Sequence, residues 1–254
     1  MKKMQTSFHE GRTIGLLLTF IGGAMDSYTY IQYGAFASAQ TGNIILSIIQ
    51  AFDGEWLSVG KKVLSTLFFF LGILLTKYLI DYFRKKEKHF WRLFVLYYEA
   101  VIFFFVSLTP VHEHPALVTI LIAFTASIQW VAFDKINGRA YTNLFTTGNL
   151  KGVATNLYDY CISKEKADFD RFFHYLSVVL AFIAGAIVLV FCHHLFGAHS
   201  ILIVSILFLI MALTQTFHLW QFYHTNRFTI WSQWIKKTKQ DAAHREISAS
   251  EQFA

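Results

Sequence analysis

The stretch "AFASAQTGNIILSIIQAF" (Ala35–Phe52) joins a small polar run to a strongly apolar one, with Thr41, Gly42 and Asn43 at the join. The tripeptide returns in "YTNLFTTGNLKGVATNLY" (Tyr141–Tyr158), where Thr147, Gly148 and Asn149 again part a polar lead-in from a helix-like exit. Thr41 and Thr147 are 106 residues apart. The chain around both copies is 55% hydrophobic and only 15% charged, with 27 Phe and 2 Pro in 254 residues, whereas a soluble domain carries about 25% charged residues. Two polar breakers in so apolar a chain predict an all-α, polytopic membrane helix bundle with two interrupted segments. An all-β fold would need many more turn residues.

Six stretches approach the ~20 apolar residues that a span needs: Ile14–Tyr33, Lys62–Phe83, Leu93–Thr109, Ala116–Phe133, Phe172–Phe196 and Ser200–Phe222. The first is too long, and holds Asp26 too far inside, for a cleaved signal peptide. One breaker lies between spans one and two, the other between spans four and five. After Tyr223 the chain is basic and then mixed, a polar tail. The net charge of +6 sits beside the apolar runs, as in "RKKEKHFWR" (Arg84–Arg92), so it reads as cytoplasmic anchoring and lipid contact and gives no indication of nucleic acid binding. Pro110–Pro115 and Gly197–His199 hold no Lys or Arg and are expected outside; the N-terminus, Arg84–Arg92 and the tail are expected inside. Six spans satisfy this when both breakers are re-entrant. Eight spans would suit Lys61 and Lys62 better but would put "RKKEKHFWR" outside. The domain reading is a cytoplasmic N-terminus (1–13), repeat one (14–109), repeat two (116–222) and a cytoplasmic tail (223–254). Three spans per repeat turn the second repeat upside down, a plan common among transporters.

Broken backbone in hydrocarbon persists only where protein or a wet cavity satisfies it. Thr41 and Thr147 are suited to cap helices over Asn43–Ala51 and Asn149–Tyr160. Gly42 and Gly148 permit close approach or positive φ, and Asn43 and Asn149 offer amides that donate and accept. Two helix starts facing one another suit a small polar or anionic solute. A symmetry or packing role is the alternative.

Two acids interrupt apolar sequence, Asp26 in "FIGGAMDSYTYIQYG" and Glu99 in "LFVLYYEAVIFFF". Intramembrane acids mark solute paths, proton relays or polar pairs, so both are candidate proton-coupling groups. Gln129, in the span before the second breaker, stands where Asp26 stands before the first and joins the candidate solute-binding set. Gly22, Gly23, Gly72 and Gly185 are expected at close helix contacts. The histidines His112, His114, His193, His194 and His199 gather at the expected outer face without metal-ligand spacing. Cys161 and Cys192 show no CxxC spacing and are read as free thiols. No metal, cofactor or enzyme motif stands out, and the reading leaves room for a homo-oligomer.

"GGAMDSYTYIQYGAFASAQTGN" (Gly22–Asn43) and "SIQWVAFDKINGRAYTNLFTTGN" (Ser127–Asn149) resemble the two boxes of the bacterial YoaK-like integral membrane proteins, with "FFFLGILL" and "YYEAVIFFF" placed as in that family. The resemblance covers about residues 11–222 and departs at Trp130, where a small, Asn-containing step would follow Gln129. It implies a multi-pass protein of the bacterial cytoplasmic membrane and brings no substrate or reaction. The functional expectation is a small-solute transporter or channel, against a non-transporting scaffold or accessory subunit.

Overall fold

In the computed structural model, helix α1 (Arg12–Tyr33) is 22 residues long, about 33 Å at 1.5 Å per residue, which matches a hydrocarbon core of about 30 Å. It ends where Gly34 takes φ 66° and its N–H reaches the Tyr30 carbonyl, a left-handed stop open to glycine at little cost. The structure describes residues 10–86, 90–221 and 224. Residues 1–9 of the expected N-terminal segment, the middle of "RKKEKHFWR" and nearly all of the tail lie outside the described residues.

The order continues α2 (Gln40–Phe52), α3 (Trp56–Lys85), α4 (Trp91–Val106), α5 (Thr109–His112), α6 (Pro115–Ala132), strands β1 (Lys135–Ile136) and β2 (Arg139–Ala140), α7 (Thr147–Ser163) and α8 (Lys166–Phe196). A 3-10 turn, Gly197–Ile201, then leads into helix α9 at 202–221. The two strands form a minimal antiparallel hairpin, with Lys135 opposite Ala140. The described residues up to 212 form one compact unit, which holds both breakers, and those from 213 belong to a second.

Among the described residues, four helical stretches are long and apolar enough to cross a membrane: Arg12–Tyr33, Trp56–Lys85, Pro115–Ala132 and Lys166–Gln221. The last holds two of the six expected spans, parted at the 3-10 turn. The remaining expected span is α4, whose 16 residues reach about 24 Å. The core is apolar, but it also encloses polar groups, and the surface is apolar too. Asp26, Glu99, Gln129 and Asn143 are buried, while Leu67, Phe70, Leu74, Leu180, Ile187 and Phe191 are exposed. Such a surface needs lipid around it, and the chain is a membrane protein.

The long helices pack in an exchanged pattern, α1 chiefly against α8 and α3 chiefly against α6. A Cβ on Gly185 or on Gly23 would strike the carbonyl of Phe20 or Phe182 across the α1–α8 face, and one on Gly72 would strike Phe124 and Ser127 of α6. Backbones this close require the missing side chain. Helices α1 and α8 run in the same direction, since Arg12 bonds Ser177 while Tyr28 bonds the Ala198 carbonyl. At the Tyr33 end, Tyr33 donates to His112 O at 3.1 Å, His199 Nδ1 lies 2.8 Å from Ser107 O, and Lys61 donates to Tyr33 O at 3.2 Å. Lys61 therefore shares an end with the two loops that lack Lys and Arg. At the other end Arg92 donates to Ala132 O at 2.7 Å, beside the hairpin.

Candidate functional site

Residues 34–39 and 133–146 are the two breaks, and each is held by the asparagine of the following helix. The Asn43 side chain accepts from Phe36 N–H at 2.8 Å and donates to Phe36 O at 2.8 Å. Asn149 does the same to Thr142, at 3.4 Å and 2.8 Å. Each amide reaches back seven residues and replaces a backbone partner that the break has lost. Asn43 is 0% and Asn149 1% exposed, so these side chains are spent on their own chain.

Neither threonine acts as the expected cap. Helix α2 already begins at Gln40 and α7 at Thr147, with Ala39 and Thr146 at the cap positions and no side-chain capping bond. The reason is that the Asn bracket satisfies the loop itself, leaving Thr41 and Thr147 exposed in the first turn. Gly42 and Gly148 are absent from the positive-φ glycines. Gly42 instead leaves room for the Phe36 ring, and a Cβ on Gly148 would meet only the Thr142 hydroxyl at ordinary contact distance. Exchanging Asn43 for alanine strands the Phe36 N–H, at about 1–3 kcal/mol, and leaves Phe36 O only the 3.4 Å bond from Ser65 Oγ. The Asn43→Ala protein is expected to melt well below wild type in detergent, and an unchanged melting temperature would remove the bracket from the account.

Asp26 lies about two turns before the end of α1 and closes the first break. Its Oδ1 accepts from Ser38 N at 2.7 Å, and Ser38 Oγ lies 2.7 Å from Oδ2. The carboxylate thus occupies the positive start of α2. Ser38 Oγ is also 2.9 Å from Leu144 O in the other break. Ser38 and Leu144 are 106 residues apart, the interval between the two tripeptides, so the breaks touch through corresponding positions. Ala132 stands where that interval would place a second Asp26, and the start of α7 has no acid of its own there. Gly22 seats the second break, because a Cβ there would meet the Asn143 carbonyl.

A pocket of about 420 Å³ opens where the two helix starts converge, lined by Asp26, Phe36 and Ala39 on one side and by Phe145, Thr146 and Thr147 on the other, with Phe182 and Val190 of α8 beside them. Of the expected set, Asp26 and Thr147 line it. Gln129 is apart, its Nε2 donating to Leu18 O at 3.1 Å and its Oε1 buried without a partner among the described residues. Glu99 is also apart, 0% exposed on α4, with no partner for either oxygen among the described residues. Sequence reading passed over Ser38 and Asn143, whose side chain donates to Phe133 O at 2.8 Å. Both stand at the breakers, and their polarity there was the available signal. Among the described residues no three His, Cys, Asp or Glu side chains form a metal set; His112 and His199 meet only as rings 5.1 Å apart. Cys161 and Cys192 are both free.

No curated protein and no solved structure matches the chain. Residues 14–214 match the model of one family, described as "Protein of unknown function (DUF1275)". That stretch takes in both breaks, the pocket and every long helix up to the middle of α9, and the chain belongs to this family of unknown function.

Proposed function

We propose that the protein is a non-catalytic, proton-coupled carrier or channel for a small polar or anionic solute, with its central site between the two breaks. The observation that carries this reading is the pocket of about 420 Å³ in which Asp26 and the starts of α2 and α7 converge. Discontinuous helices around a polar site are the common plan of secondary transporters. The resemblance to YoaK-like proteins favours the bacterial cytoplasmic membrane, crossed six times with both termini inside. The exchanged packing of α1 with α8 and α3 with α6, and the contact of Ser38 with Leu144, favour two inverted halves.

Asp26 and Glu99 are the coupling acids in this reading. Ser38 has one hydroxyl hydrogen for two acceptors. With Asp26 ionised, that hydrogen belongs to the carboxylate. With Asp26 protonated, its own O–H donates to Ser38 Oγ and frees the serine hydrogen for Leu144 O. Proton occupancy would then set how tightly one break holds the other. Glu99 has no such neighbour, and an unpaired charge deep in a membrane protein is expensive, so a proton there would travel with solute.

The test is solute-driven proton uptake into proteoliposomes holding a trapped pH dye, across small carboxylates, phosphate and amino acids. Glu99→Gln is expected to remove the pH dependence of uptake while the purified protein stays monodisperse; unaltered pH dependence would take Glu99 out of the mechanism. The rival reading is a scaffold or accessory subunit whose broken helices only pack. The commitment of Asn43 and Asn149 to groups of their own chain favours it. Wild-type vesicles silent to every solute would decide for it.

A further inference from the structure

A second pocket, of about 270 Å³, shares no lining residue with the first and lies where the start of α1, the hairpin of the second break and the first turns of α8 meet. It is lined by Arg12, Asn137, Arg139, Asp170, Phe173 and His174. The site is built. Asn137 N–H donates to Glu10 O at 2.8 Å and Gly138 N–H to Glu10 Oε2 at 3.2 Å, which ties the hairpin to the chain before α1. Arg12 donates to Ser177 Oγ at 2.9 Å and lies 5.0 Å over the Phe173 ring; Arg139 donates to Asp170 O at 3.2 Å. Neither guanidinium forms an ion pair among the described residues. Each has further N–H donors to offer, in the planar arrangement suited to oxyanions. Both act electrostatically on His174, which is 8% exposed and whose Nε2 is buried with no partner among the described residues.

We propose that this pocket binds a phosphate-type oxyanion. The charges favour it: the lining holds two arginines and one carboxylate, that of Asp170, while the Glu10 carboxylate is turned to Gly138. An unpartnered buried imidazole nitrogen is costly, and an oxyanion held by both arginines gives it an acceptor to donate to. The pocket stands at the ends of two long helices, the level at which lipid headgroups sit, and basic pockets between such helices bind anionic headgroups. A free phosphate or phosphate monoester offers the same chemistry from the aqueous side. This site is independent of the central pocket and of the transport reading.

Two arms separate the sources, both with the full chain. In one, the protein in neutral detergent is titrated with radiolabelled inorganic phosphate at constant ionic strength. In the other, it is taken from phosphatidylcholine nanodiscs doped with phosphatidylglycerol, and retained lipid is counted by native mass spectrometry. Saturable binding is expected in at least one arm; phosphate uptake assigns a free anion, and retained phosphatidylglycerol alone assigns a headgroup. Arg139 is exposed, so Arg139→Gln should fold, and it is expected to weaken binding about tenfold through loss of a charged hydrogen bond. Arg12→Gln should do likewise. Asp170→Asn is expected to tighten binding, which mere damage to the fold would not do. Lys135→Gln, on the same hairpin but outside the pocket, is expected to bind as wild type. Absence of saturable binding in both arms would overturn the proposal. So would equal losses in Arg139→Gln and Lys135→Gln, or a wild-type response in both arginine variants.

Discussion

Gly185→Leu is expected to leave almost no folded protein, while Gly60→Leu leaves the yield unchanged. Both glycines lie within long helices, and intrinsic propensity favours either exchange by about 1 kcal/mol. They differ in what a side chain would meet. Beyond Gly60 nothing among the described residues lies within 4 Å, whereas a Cβ on Gly185 falls on the backbone carbonyl of Phe20. A carbonyl inside a helix cannot turn aside without breaking its own hydrogen bond, so α1 and α8 must separate. In lipid the separated helices regain no hydrophobic driving force, because close packing is itself what joins them. Even Gly185→Ala is expected to cost about 3 kcal/mol, the upper range for an overpacked methyl. Fluorescence size-exclusion of detergent extracts reads both leucine variants. A monodisperse Gly185→Leu peak at wild-type yield would mean that α1 and α8 do not approach as described.

That glycine was legible in the sequence as a contact point, and so were the breaks and most of the helices. Hydrophobic length alone placed the ends of α1 and α6 closely. It shortened α3 and α8, because their first turns, near Trp56 and Lys166, are polar or mixed and length was counted on apolar residues. The roles within the breaks were less legible. Thr41 and Thr147 match the composition of a cap, but capping depends on which N–H groups the loop leaves free. The bracket of Asn43 around Phe36 spans seven residues, an interval with no local signature. The arginine pocket was not legible, since Arg12, Arg139 and His174 come from three distant segments and none stands out in its own surroundings. Asp26 was singled out correctly as buried, yet its partner Ser38 comes from the break that it closes, a pairing that only the turn after Gly34 creates.

That pairing gives Asp26→Asn a sharp expected outcome. The new amide oxygen can still accept from Ser38 N–H, and the new amide N–H can donate to Ser38 Oγ, which turns the serine hydrogen to Leu144 O. The substituted side chain would therefore hold the arrangement of the protonated acid permanently. The variant should fold and melt near wild type, because no buried polar group is left alone. Its solute-driven proton uptake should fall at least about a hundredfold, the size of effect associated with losing a positioned proton-transfer group. Asp26→Ala separates the two roles. It strands Ser38 N–H just before α2, and should lose both transport and about 1–3 kcal/mol of stability. Ser38→Ala keeps the carboxylate and its bond from the backbone N–H of position 38, but removes the hydroxyl that reaches Asp26 and Leu144. If proton occupancy acts through that hydroxyl, this variant should still bind solute while uptake loses its dependence on pH. Should Ser38→Ala keep the wild-type pH profile and Asp26→Asn lose transport, Asp26 would act on the solute directly, and the link between the two breaks would be packing alone.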